Sequence, residues 1–175
     1  FGWPYFIANN KAYTRYDFEN KKPLEPWDPK KPLNLSPNNT GGKELPPAQS
    51  AFIYYPHSLS ARFPGVNAGG GRTAMAGPVY YHEDSLESPH KLPAVFDHHL
   101  FIYEWSRNWI IAVKLGEDES IDNPRKDLHR FLPGMSFKRP MDMELGPDGC
   151  LYVIQWATQW GDNSATQILR IEYHG

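Results

Sequence analysis

The sequence predicts an all-β chain, on three observations. Short runs rich in aromatic and β-branched residues recur at 73–81, 98–105, 108–115, 151–154 and 167–173, each of a length suited to a strand. Gly, Pro, Asp and Asn separate these runs, and such residues punctuate strands with turns. No stretch carries apolar residues at helical spacing over three turns.

Residues 1–50 read as a Pro-rich, aromatic, extended segment or long loop. Prolines at 4, 23, 26, 29, 32, 37, 46 and 47 fix φ and remove donors, leaving room for a short strand only at 12–18. Trp3, Tyr5, Phe6, Tyr13, Tyr16, Phe18 and Trp27 set the segment apart from a plain disordered linker, which is poor in such residues. Asn34-Leu35-Ser36 and Asn38-Asn39-Thr40 match the glycosylation sequon, a pattern that also arises by chance.

The sheets are expected in 51–175, beginning with a short apolar strand at 51–55. The glycine-rich stretch 67–72 lacks the Gly-Lys-Ser/Thr of a phosphate loop and leads into a strand, so it reads as a close-packed turn. Arg72 at its end is a candidate anion ligand. The runs 98–105 and 108–115 form a hairpin across Ser106 and Arg107. A charged loop follows at 117–126, then a short outer strand at 128–132. Met141, Met143 and Leu145 alternate with Asp142 and Glu144, Asp148-Gly149 supplies a two-residue turn, and 151–154 and 167–173 complete the set.

Leu100-Phe101-Ile102-Tyr103 and Leu151-Tyr152-Val153-Ile154 repeat at an offset of 51 residues. That period suits the four-stranded blade of a β-propeller. The chain then holds one complete blade at about 73–132 and three strands of a further blade at about 138–173. Propellers close with four to eight blades, so the remainder of the propeller is the expected partner. The start at Phe1 fits an expectation that the chain is part of something larger.

A net charge of −2 and the absence of clustered Lys and Arg argue against nucleic acid and anionic membranes as partners. No apolar run is long enough for a transmembrane segment. Cys150, the one cysteine, excludes an intrachain disulfide and reads as a small hydrophobe in a strand. Neighbouring strand residues point to opposite faces, so Asp97-His98-His99 reads as a surface turn and not a metal site. His82-Glu83-Asp84 reads as an acidic loop, with Glu83, Asp84 and Glu87 as the oxygens a calcium ion would use there.

Four stretches in order carry a family resemblance: Gly2-Trp3-Pro4-Tyr5, the run from Gly71 through Arg72 and Gly77-Pro78 to Tyr80, Leu100 to Trp105, and Arg139-Pro140-Met141-Asp142-Met143 with Gly146-Pro147-Asp148-Gly149. Together they resemble the C-terminal half of a soluble quinoprotein glucose/sorbosone dehydrogenase. The branch it is most similar to occurs in large secreted or surface proteins of Bacteroidetes-type bacteria.

The resemblance implies a six-bladed propeller that holds pyrroloquinoline quinone (PQQ) with calcium and oxidises a sugar hydroxyl, in a periplasmic, extracellular or cell-surface setting. Arg139 and Arg107 match positions where the family places cationic cofactor ligands, and guanidinium forks suit planar carboxylates. Arg72 joins them as a third candidate. A pair with Asp142 or Glu144 is the structural alternative for Arg139. Met141 stands where the family often has a second cation, and Ser106 departs from the pattern beside Arg107. The family's catalytic histidine and calcium ligands belong before Gly2, so no catalytic or metal residue is assigned in this chain. His57, His82, His90, His98, His99, His129 and His174 take none of those roles. A non-catalytic propeller, serving as a binding or scaffold module at a cell surface, is the alternative; the Pro-rich aromatic segment would suit such a surface.

Overall fold

The computed structural model describes residues 2–67, 70–158 and 163–175. Ala68 and Gly69 of the glycine-rich turn lie outside that set. The chain divides into two compact units, 1–55 and 56–175, and all named elements are strands apart from two short 3-10 turns. No helix among the described residues is long and apolar enough to cross a membrane.

The first unit holds two small ribbons. Strand β1 (Phe6–Ile7) pairs with β2 (Lys11–Ala12), and β3 (Thr14–Asp17) pairs with β4 (Lys22–Pro26). The β3–β4 turn is closed by Asp17, whose carboxylate accepts the amides of Glu19 and Asn20. The Asn20 amide leads in holding that carboxyl below its ordinary range. Strand β4 goes beyond the sequence reading, because Pro23 and Pro26 argue against a strand. A two-stranded ribbon tolerates them, since a missing N–H on an outer edge breaks no ladder bond. Tyr5 stacks on Trp27 at 4.1 Å between ring centroids, which gives this Pro-rich stretch an aromatic core.

The expected strand at 51–55 does not form. The amide of Ala51 donates to the Ala8 carbonyl at 2.8 Å. That bond ties the stretch to the first unit, and the division falls five residues later than the sequence suggested.

The second unit contains two antiparallel meanders. Strands β5 (Ala74–Tyr80), β6 (His99–Glu104), β7 (Trp109–Lys114) and β8 (Leu128–Arg130) pair in chain order. Strands β9 (Pro140–Leu145), β10 (Leu151–Gln155) and β11 (Gln167–Ile171) do the same. Four strands in order, then three, is the count read from the 51-residue repeat. Alternation puts Phe101, Tyr103, Ile110 and Ala112 on one face of the first sheet, where they form a single buried cluster with Met143, Leu151, Val153 and Ile171 of the second. Gly77 allows the close approach: a Cβ there would lie 2.5 Å from Met143 Cγ and Sδ. On the opposite face Ile111 and Val113 are also buried, and the 3-10 turn Pro64–Val66 lies against β8, with Gly65 close to Leu128.

Both hairpin loops are longer than the sequence suggested. Glu104 pairs with Trp109, so the β6–β7 loop has four residues, closed by an Asn108 amide to Glu104 carbonyl bond of 3.0 Å. Asn108 takes the left-handed conformation that Asn tolerates, with φ 56°. In the β9–β10 loop the Gly146 amide bonds to the Cys150 carbonyl and Gly149 has φ +73°, which makes a three-residue turn ending in a left-handed glycine. His98 sits in a turn with φ 54°, whereas His99 opens β6 and is buried, opposite Lys114. The surface-turn expectation therefore fits His98 and is corrected for His99.

Candidate functional site

Glu104 ends β6 with its side chain fully buried. Its Oε1 accepts the amides of Thr73 and Ser106, tying the segment that leads into β5 to the β6–β7 loop. The Thr73 and Ser106 hydroxyls meet at 2.8 Å and add a second tie. Trp105 projects from this braced corner. One sheet further on, Gln155 ends β10 and its Oε1 accepts the Lys138 amide ahead of β9. The Trp156 amide donates to the Arg139 carbonyl at 2.9 Å and the Ala157 amide to the Lys138 carbonyl at 3.2 Å. Trp156 projects from that second corner.

These corners stand side by side and enclose an open cleft of about 320 Å³, lined by Thr73, Met75, Trp105, Met141 and Trp156. Two tryptophans, two thioethers and one hydroxyl make its walls apolar and flat, with no carboxylate or imidazole among the described residues that line it. Arg139 stacks on one wall residue, its guanidinium carbon 4.6 Å from the centre of the Trp105 ring, within cation–π range. It is held there from the main chain: its amide donates to Asn108 Oδ1 at 2.9 Å, and its φ of 56° turns the chain sharply into β9. Tyr103 supports the floor by donating its hydroxyl to the Met141 carbonyl at 3.1 Å. Burial, with Asp142 and Glu144 nearby, raises its phenol pKa, so it stays a donor.

The three arginines expected at a cofactor site differ in their surroundings. Arg139 stacks on Trp105 of the cleft wall. Arg72 is exposed and directly precedes Thr73 of that wall. Arg107 is buried and directs Nε to the Gly71 carbonyl, one terminal nitrogen to Val66 and the other to Pro56, at 2.8, 3.0 and 3.0 Å. Three of its five N–H groups are thus engaged by main-chain carbonyls. The walls themselves, Trp105 and Trp156, escaped the sequence reading as site residues, although their 51-residue spacing is that of the repeat.

A larger concavity of about 640 Å³ lies at the opposite end of the first sheet, among Lys114, Glu117, Asp118, Asp122 and Asp127. Volume does not make it the better site. Asp118 accepts the Ser120 amide and Asp127 the Asn123 amide, so these carboxylates are closing turns.

Comparison of the chain with protein-family models, curated proteins and solved structures finds no match. The reading of the site therefore rests on its own chemistry.

Proposed function

We propose that this chain supplies two neighbouring blades of a β-propeller that binds a sugar ring in the cleft between Trp105 and Trp156, within a PQQ-dependent sugar dehydrogenase-like protein of the secreted or cell-surface type. The observation that carries it is the paired tryptophan wall, placed at equivalent corners of two sheets. A pyranose has one face of polarised C–H groups, and these complement the negative face of an indole. The cleft volume and its mostly apolar, aromatic lining are of the kind that holds small ligands. Thr73 and the Arg139 guanidinium supply donors for ring hydroxyls at the edge.

PQQ is planar with several carboxylates, and the flat slot suits its rings better than the cations suit its charge. Of the three arginines Arg139 stacks on a cleft tryptophan, and Arg107 gives three donors to main-chain carbonyls. In this reading quinone, calcium and the general base are held by the remainder of the propeller, and these blades orient the sugar. A purely binding propeller is the second reading, favoured by a described cleft wall of tryptophans, thioethers and one hydroxyl.

Tryptophan fluorescence and calorimetry on the full chain, titrated with mono- and oligosaccharides and separately with PQQ plus calcium, test the proposal. Saturable sugar binding, reduced at least tenfold in both Trp105→Ala and Trp156→Ala, is expected. No response to any sugar would overturn it. Sugar binding in the complete propeller, with its remaining blades supplied, that neither binds PQQ nor reduces dye with it would select the binding module over the dehydrogenase.

A further inference from the structure

We propose that His90, Glu172 and His174 form a site for a zinc-class divalent cation that fastens the segment after β11 to the loop ahead of β6. One ligand atom from each of the three lies within 4.8 Å of the others, and they are the one such His/Cys/Asp/Glu group among the described residues. His174 Nε2 is 3.2 Å from Glu172 Oε2, and His90 Nδ1 is 3.9 Å from the same oxygen. The two imidazole rings stand 4.7 Å apart, centroid to centroid.

The main chain brings these side chains together in advance. The Tyr173 amide donates to the His90 carbonyl at 3.1 Å, and the Cys150 thiol donates to the same carbonyl at 3.1 Å. Residues far apart in sequence are thus held side by side before any ligand contributes. Glu172 is oriented as well. Arg170 engages its Oε1 while bonding Asp148 with Nε and a terminal nitrogen, which leaves Oε2 facing both imidazoles. Such outer partners fix ligating carboxylates in metal sites.

Two imidazoles and one carboxylate select the metal class. Calcium and magnesium prefer all-oxygen shells, whereas zinc and its neighbours in the first transition row accept nitrogen readily. Bond lengths of about 2.0–2.2 Å put tetrahedral ligands about 3.3–3.6 Å apart. The Glu172–His174 spacing already approaches that range. The wider spacings close by rotating the two histidines, whose side chains are 36% and 69% exposed. Cys150 stays outside the ligand set, since burial leads in raising its thiol pKa and its sulfur is bonded to the His90 carbonyl. Three protein ligands leave a fourth position for water.

Calorimetry of the tag-free full chain with zinc chloride, and with calcium and magnesium chlorides as controls, tests the site. One zinc per chain is expected, with a rise in Tm and no comparable response to calcium or magnesium. His174→Ala and Glu172→Gln should each weaken zinc binding at least tenfold, while His129→Ala, an exposed histidine on β8, leaves it unchanged. Absence of zinc binding, or binding unchanged in His174→Ala, overturns the proposal. An equal effect of His129→Ala does so too, because it marks scattered surface histidines.

Discussion

Glu104 and Gln155 stand 51 residues apart and do the same job one sheet apart: each ends the second strand of a meander and accepts a main-chain amide from the segment entering that meander's first strand. The shared geometry sets Trp105 and Trp156 facing the same cleft. The repeat is thus written in hydrogen bonds as well as in apolar residues.

Replacing Glu104 tests that brace. Glu104→Leu leaves the Thr73 and Ser106 amides without their buried acceptor and should cost about 2–4 kcal/mol. Glu104→Gln keeps an acceptor oxygen at the same reach, as Gln155 does naturally, and should lose less than half as much. Urea unfolding of the two variants decides it; equal losses would mean that the charge, and not the acceptor, matters.

The contact of Gly77 with Met143 sets the spacing of the sheets. Gly77→Ala drives a methyl into Met143 and toward the Phe101 carbonyl, at a cost of about 1–3 kcal/mol. Met143→Ala empties a buried volume and should cost about 2–5 kcal/mol. In the double variant the new methyl occupies part of that space, so the combined loss should fall short of additivity by about 0.5–3 kcal/mol. Simple additivity in a denaturation cycle would contradict the contact.

Arg107 is read as a brace. Arg107→Met strips three carbonyls of their donor and should destabilise the second unit by about 2–4 kcal/mol. Arg107→Lys should recover little, since one ammonium cannot reach three directions at once. Unchanged urea midpoints in both variants would restore a ligand role to this arginine.

Acid should weaken the β10–β11 pair in a defined window. Desolvation opposes ionisation of Asp148, but the Cys150 amide, the Tyr152 hydroxyl and Arg170 outweigh it and take the carboxyl down to about 2. An unfolded aspartate titrates near 3.9, so the unfolded chain binds the proton more readily. The stabilisation is therefore complete above about pH 4 and fades as pH falls toward 2. The stability gap between wild type and Asp148→Asn, measured by urea unfolding, should shrink between pH 5 and pH 2.5. A constant gap would place the effect elsewhere.

The strands of the second unit were legible because both local signals agreed there: β-branched or aromatic runs, and Gly or Asp where the chain turns. Loop lengths were not, since Asn108 and Gly149 adopt left-handed backbone that lengthens each turn by one or two residues without altering composition. Strand β4 was hidden by its prolines. Of the site, the sequence pointed to Arg139 through a family pattern and to Arg72 through its place after the glycine-rich stretch, but it could not reveal that Arg107 gives three donors to Gly71, Val66 and Pro56. The tryptophan wall was within reach of the 51-residue comparison. The His90, Glu172 and His174 group was not, because only the pairing of β10 with β11 and the Tyr173–His90 bond bring it together.

The pairing of every strand with its neighbour in the chain has a kinetic consequence. Each meander can start from its own tight hairpin, β6–β7 in the first and β9–β10 in the second, so neither sheet waits for distant partners before it gains ladder bonds. Burial of Met143 against Gly77 requires both sheets and belongs to the last step. Mutations at that contact should accordingly speed unfolding and leave the folding rate nearly unchanged, whereas changes at Gly149 should slow folding itself.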